Sequence, residues 1–442
     1  MAIKLPNSTE SNNTSYINTG NSKKDFYSEY KKLDKKYFVK YDNSYQYLVN
    51  FSQTKDSPIH RWFYYQEGYS PNLVIEMINY LGLSKEIQIF DPFAGSGTSL
   101  VAAKELGVQS SIGIEINPLS YFIAKTKVQD YEEEDFIIAE NFVVDYSTLI
   151  ENVYDKYELS IIRKLFDEVS LTKIEQIKAG IKQVSNIKSK DILMSALLCI
   201  LQDVSFYKKA GNGLKKKRNF IKKNIEIEFD SKLKTIIEDL RDLKGSGNHI
   251  VFNGDSISLQ RYNIPEIDLS IFSPPYANCF DYFEVYKIEL WLGEFVKTYE
   301  ELRKLRKSAL KSNLSTINKV AIENKTITPS LRPIIDYLKT ISLWDNKIPI
   351  MLISYFSDME TVLRNIYQVT KKGGFTIIVV GNSSYGGLAV PTDILLAEIS
   401  VSVGFQVQEI IVARKNETSS QQYSSIGNLI EYVRESIIIL KK

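Results

Sequence analysis

Ser273-Pro274-Pro275-Tyr276 closes the apolar run DLSIF with two oxygen acceptors, a stiffened backbone and a flat ring. An amine attached to an aromatic ring is a poor nucleophile, because its lone pair is delocalised into the ring. Acceptors that grip both N–H bonds push the nitrogen toward tetrahedral geometry and aim the freed pair at an electrophile. Ser273 Oγ and the Pro274 carbonyl are acceptors of that kind. The two prolines fix φ at 274 and 275 and restrict the residue before each. Tyr276 offers a face for an extruded base, with stacking worth about 1–3 kcal/mol per base.

An electrophile needs its own cradle, and Asp91-Pro92-Phe93-Ala94-Gly95-Ser96-Gly97-Thr98 supplies a candidate. The octet lies between the run IQIF and the helix-prone SLVAAKEL, where glycines let the backbone approach a ligand closely. A nucleoside triphosphate requires Lys and then Ser or Thr after the last glycine, but Thr98 and Ser99 stand there. A dinucleotide fingerprint wants a third glycine where this chain has Leu100. That weakens the dinucleotide without excluding it, and S-adenosylmethionine is the third ligand whose shape suits such a turn. Glu115, about twenty residues beyond the glycines at the end of the next apolar run, suits the two ribose hydroxyls of an adenosine. Asp91 suits the charged amino group of the methionine half.

Both segments need strands that end side by side. Seven short runs rich in β-branched residues supply them: IQIF, SIGIEI, HIVFNGD (249–255), DLSIFS (268–273), GFTIIVVGN (374–382), FQVQEIIVA (405–413) and YVRESIIIL (432–440). Such runs suit strands covered on both faces, and strand, loop, helix, strand is the order of a parallel βαβ unit. The expected fold is α/β, a Rossmann-like seven-stranded sheet with helical insertions. The catalytic domain is expected at 23–130, 249–293 and 346–442, interrupted by amphipathic helical insertions at 131–248 and 294–345. Residues 1–22, rich in Asn, Ser, Thr and Gly, read as a mobile tail.

At 442 residues, 44% hydrophobic, the chain has ample material for a core. A net charge of +2 argues for no polyanionic partner by itself. Two cysteines, Cys199 and Cys279, and two histidines, His60 and His249, are too few and too scattered for a metal cage or a disulfide framework. No membrane-length apolar stretch or signal-peptide core is visible, so the expectation is a cytoplasmic protein with no membrane and no metal.

DPFAGSGTSLVAAKELG followed by IGIEINPLS resembles the cofactor motif of the amino-group DNA methyltransferases. The resemblance implies S-adenosylmethionine contacts at Asp91, Pro92, Phe93, Gly95, Gly97, Thr98, Glu115 and Asn117, with Asp255 of NGDS on the adenine. The tetrad resembles the Asp/Asn/Ser-Pro-Pro-aromatic signature of enzymes acting on exocyclic amines, and Ser273 at its head is the form typical of N4-cytosine enzymes. IHRWFYYQEGYSPNLV (59–74) is loosely similar to the segment that closes over the cofactor's methionine end. YFEVYKIELWLG is similar to the helix after the tetrad, and NLIEYVRESIIIL to the closing strand. In many N4-cytosine enzymes the tetrad comes first in the chain, whereas here the glycine loop does. That order keeps an RNA guanine-N2 methyltransferase in view, beside a DNA adenine-N6 enzyme and a nucleic-acid-binding protein that has lost the chemistry.

Cys279 follows Asn278 and not a proline, unlike the nucleophile of carbon-5 methyltransferases, and reads as a small loop or core residue. KKAGNGLKKKRNFIKK (208–223) carries eight cations and no acid, which points to DNA phosphates through Lys208, Lys209, Lys215, Lys216, Lys217 and Arg218. A second cluster holds Arg303, Lys304, Arg306, Lys307 and Lys311. The sequence thus leads to a site-specific DNA methyltransferase, with a restriction endonuclease of the same site as a possible companion.

Overall fold

The strands follow in chain order as β1 (Val39–Tyr41), β2 (Gln88–Asp91), β3 (Ser110–Glu115), the hairpin β4 (Tyr207–Ala210) and β5 (Gly213–Lys216), β6 (Asn248–Asn253), β7 (Ile267–Phe272), β8 (Thr370–Gly381), the ribbon β9 (Ser383–Tyr385) and β10 (Leu388–Val390), β11 (Gln406–Lys415) and β12 (Arg434–Lys441). These belong to a computed structural model that describes residues 23–65, 68–245, 247–317, 327–416 and 425–442. The tail expected at 1–22 lies outside the described residues. Eight strands form one sheet in the order β1-β11-β12-β8-β7-β2-β3-β6. All seven expected runs are strands in it. The eighth, β1, is only VKY, too short for any periodicity to mark, so the sheet has one strand more than expected.

Pairing is parallel from β6 through β3, β2 and β7 to β8, and β12 runs antiparallel to both of its neighbours. Alternation along each strand divides the apolar residues between two faces. Ile89, Leu269, Ile271, Ile377, Val379 and Ile437 face α2 (Pro71–Tyr80) and α3 (Thr98–Leu106), across one core. Phe90, Phe272, Ile378, Val380 and Ile438 face the opposite core. Covering both faces is what lets a largely parallel sheet read as continuous apolar runs.

From β2 the chain steps outward to β3 and β6, then returns to place β7 on β2's other side. That reversal opens a crevice beyond the carboxyl ends of β2 and β7, the place where open α/β sheets bind ligands.

The remaining helices are α1 (Lys23–Lys36), α4 (Pro118–Val128), α5 (Glu133–Glu140), α6 (Ile162–Leu165), α7 (Glu168–Gln183), α8 (Ile187–Val204), α9 (Ile225–Asp242), α10 (Tyr282–Val285), α11 (Lys287–Leu292), α12 (Tyr299–Ser308), α13 (Leu331–Thr340), α14 (Ile348–Val369) and α15 (Thr392–Val403). The first insertion packs around α8, where Leu193, Leu197 and Leu201 meet Ile177 of α7 and Phe229 and Ile236 of α9, in a core continuous with Leu100 of α3 and Ile123 of α4. It is not helical throughout, because β4 and β5 interrupt it. Gly211, with φ 56°, makes the two-residue turn between Ala210 and Gly213, where glycine is favoured at the first turn position. No helix among the described residues is long and apolar enough to cross a membrane.

Candidate active site

Strand register brings the two reactive segments together. Phe90 of β2 pairs with Ser270 of β7 in parallel, so the glycine turn after Asp91 and the tetrad after Phe272 leave the same edge on adjacent strands. Within the turn, Gly95 has φ 53° and Gly97, capping α3, φ 88°. A Cβ on Gly95 would stand 2.9 Å from the Tyr65 ring, and one on Gly97 would stand 3.1 Å from Ala124 Cα. Conformation and space both demand glycine there.

Two buried carboxylates hold this turn. Asp91, 2% exposed, accepts hydrogen bonds from Phe93 N at 2.9 Å, Tyr69 OH at 3.3 Å and the Ser99 hydroxyl. Glu115 accepts from Gly95 N and Asn117 N, each at 2.8 Å and each on a different oxygen. Burial pushes Asp91 up to about 6 and Glu115 up to about 7, with these hydrogen bonds opposing it.

A cleft open to solvent lies against these groups. Asp91, Pro92, Phe93, Gly95, Thr98, Glu115, Asn117, Asp255, Ser273 and Pro275 all line it. Gly97 is not in the lining; it backs onto α4. Pro274 is buried and is not among the lining residues. Asp255 turns its own loop by accepting from Ile257 N at 2.9 Å, and burial raises its carboxyl above the ordinary range.

The donor set suits an adenosine. Asn117, 3% exposed, keeps its side-chain amide donor buried without a partner among the described residues. An orphaned donor of this kind costs about 1–3 kcal/mol, so an acceptor arriving in the cleft would relieve it. Ammonium, ribose and adenine groups can thus be met by Asp91, Glu115, Asn117 and Asp255.

Tyr276 differs from the expectation that its ring receives the base. It is not in the cleft lining. Its ring covers Gly381, where a Cβ would come within 2.8 Å of it, and its hydroxyl donates to Glu435 Oε1 at 2.6 Å. The aromatic wall beside the tetrad is instead Phe280, Tyr282 and Phe283. On the cofactor side Tyr65, stacked on Tyr286 at 5.3 Å, and Tyr69 complete the cleft. The FYYQEGYSP segment signals this pair, whereas nothing in the sequence marks the Phe280 to Phe283 wall as cleft lining.

The basic residues also divide. Lys208, Lys215, Lys216 and Arg218 are exposed on or beside the β4–β5 hairpin. Lys209 is not available to phosphate: its side chain is 3% exposed and pairs with Glu289 of α11 at 2.6 Å. Alternation along β4 turns it inward between two outward-facing neighbours. Lys217 donates to the carbonyls of Gln202 and Asp203 at 2.7 and 2.9 Å, closing the end of α8. Asn212 at the hairpin turn reaches the Cys279 carbonyl at 3.5 Å, which sets the hairpin beside the tetrad loop.

In the second cluster Arg306 lines the cleft and pairs with Asp281 and Glu284, while Lys304 pairs with Glu300. Cys279 is buried with φ 65° and its thiol is pushed up by burial, the opposite of what a nucleophilic thiolate needs.

Comparison with known proteins adds a family to this geometry. The family described as DNA methylase matches residues 7–126, the stretch that carries the glycine turn and Glu115. The chain is 28% identical to the Type II methyltransferase M.AvaI of Nostoc sp., over 89% of each chain. It is 27% identical to the Type II methyltransferase M.BsoBI of Geobacillus stearothermophilus, over 93% of this chain and 91% of that one. The Type II methyltransferase M.MvaI of Kocuria varians is 23% identical over 91% of this chain and 94% of its own.

Proposed function

This chain belongs to the amino-group DNA methyltransferases, and on that premise we propose that it methylates N4 of cytosine in duplex DNA at a specific site. The observation that carries the reading is the meeting of Ser273 and Pro275 with Gly95 and Glu115 in one cleft. When bound, S-adenosylmethionine supplies a methyl group activated by a sulfonium. Glu115 accepts from the ribose hydroxyls, Asp255 from the adenine amino group and Asp91 from the methionine ammonium, while Asn117 donates. Ser273 Oγ and the Pro274 carbonyl take the two N–H bonds of the extruded base, loosening the amine's lone pair from the ring. Serine at the head of the tetrad favours cytosine over adenine. The enzyme is read as cytoplasmic, protecting its own DNA against an endonuclease of the same specificity.

DNA from cells expressing the protein, digested to nucleosides, should contain N4-methylcytosine. N6-methyladenine in its place would move the substrate to adenine, and methylated guanosine in RNA alone would move it out of DNA altogether.

Cofactor binding should track the two carboxylates. Glu115→Gln removes the charge and turns an amide donor toward a backbone N–H. S-adenosylmethionine affinity should fall by about 10- to 100-fold, since hydrogen bonds to charged groups are worth about 1.5–3 kcal/mol. Because burial raises both acids in the free protein, lowering the pH through 7 and then 6 protonates the forms that bind, and wild-type affinity should weaken in that direction. Calorimetry across pH checks both points, and pH-independent affinity would remove these carboxylates from the cofactor site.

DNA is held, in this reading, by the hairpin. Replacing Lys208, Lys215, Lys216 and Arg218 with Gln should weaken duplex binding. It should also flatten the salt dependence, by about 0.9 in log–log slope for each phosphate the hairpin ceases to neutralise. Anisotropy titrations at several salt concentrations measure this, and an unchanged slope would place the DNA elsewhere.

A further inference from the structure

A serine hydroxyl both donates and accepts, so something must decide which it does toward the base. Ser273 Oγ donates to Tyr276 OH at 3.4 Å, and Tyr276 OH donates to Glu435 Oε1 at 2.6 Å. Glu435 begins the β12 ladder opposite Gly381 of β8, and the missing Cβ of Gly381 is what admits the tyrosine ring above it. The Glu435 side chain is 4% exposed, and its second oxygen is taken by Arg414 Nε at 2.5 Å. An ionised carboxylate accepts only. The tyrosine must therefore give its proton to Glu435, and its oxygen is left to receive the proton of Ser273.

We propose that Glu435 is a positioning residue: acting through Tyr276, it turns the Ser273 hydroxyl away from the cleft and keeps the serine lone pairs free to accept from the amine of the target base. The inference rests on the methyl transfer proposed above and gives the tetrad's tyrosine a task other than stacking. Among the described residues, the charged and titratable groups that face Glu435 are Arg414 of β11 and Tyr276 of the tetrad loop. Burial raises its carboxyl and these two partners oppose the rise. A protonated Glu435 can donate to Tyr276 and reverse the chain, which would put a hydrogen atom of Ser273 or a competing donor toward the base. Methyl transfer should accordingly fall on the acid side of the pH profile, above the range of an ordinary carboxylate.

The test compares wild type, Glu435→Gln, Tyr276→Phe and the double variant in single-turnover transfer of labelled methyl groups to duplex DNA across pH, with S-adenosylmethionine saturating at every pH so that protonation of Glu115 and Asp91 does not enter the rate. Tyr276→Phe keeps the ring and removes only the link. Each single variant should be slower by about tenfold, the scale of one net hydrogen bond, with cofactor and DNA affinities unchanged. The double variant should be no slower than the slower single one, and the acid limb of the wild type should be missing from both singles. Effects that multiply in the double variant, or an acid limb that survives in Tyr276→Phe, would overturn the inference; the second readout decides the matter if Glu435→Gln does not fold. A wild type that transfers no methyl group to DNA would instead sink the proposed function, and this inference with it.

Discussion

Ser273→Ala is expected to slow methyl transfer by about 10²–10³-fold while S-adenosylmethionine and DNA still bind. The magnitude is that of removing one preorganised hydrogen-bonding group from a site where charge develops, about 2.7–4 kcal/mol. The split between binding and rate follows from position. Ser273 lines the cleft at the end of β7, across from Glu115 and Asp91, and makes none of the hydrogen bonds that hold the glycine turn. Alanine leaves the two prolines and the backbone carbonyl of 274 in place, so the loop keeps its shape and only one acceptor disappears. Single-turnover rates beside calorimetric affinities separate the two effects. Turnover equal to wild type would remove the serine from the chemistry, and loss of cofactor binding would show that it supports the loop instead.

Arg434→Met should cost about 3–5 kcal/mol of stability, the usual effect of removing one partner from a buried ion pair. Arg434 is fully buried. Its Nε meets Asp393 Oδ2 at 2.8 Å and its Nη2 meets Asp34 Oδ1 at 2.8 Å, joining α15 and α1 to the start of β12. Asn382 and Ser436 complete the shell around Asp393, at 2.8 and 2.9 Å. Methionine fills a similar space but leaves Asp393, itself fully buried, without its counter-charge. Urea unfolding should show a lower midpoint at an unchanged slope. A loss below about 1 kcal/mol would mean that water reaches Asp393 and that the pair is worth no more than an exposed one.

The sheet is the most legible part of the chain because burial on both faces leaves little room for polar residues. IQIF, DLSIFS and GFTIIVVGN are apolar for that reason, and each is a strand. β1 is invisible in the sequence because three residues carry no period, and it is recruited only by pairing with β11. The glycine turn is legible because positive φ and close approach leave glycine little competition at 95 and 97. Charge is less informative. Lys208 and Lys209 are identical neighbours in composition, yet β alternation exposes one and buries the other against Glu289, which a count of cations does not register. The sequence misplaces Tyr276 for a related reason: its position depends on Gly381 and Glu435, more than a hundred residues away in the chain, and their role emerges only when β8 and β12 are paired. Arg306 reads as part of a phosphate-binding face, but Asp281 and Glu284 draw it into the cleft.

A crystal structure of the protein with duplex DNA and a cofactor analogue that cannot transfer its methyl group would put the central claim to the most direct trial. The proposed function predicts an extruded cytosine with its N4 between Ser273 Oγ and the Pro274 carbonyl, and the analogue's ribose hydroxyls on Glu115. A base held outside this cleft, or an analogue seated away from the turn at 91–98, would contradict it.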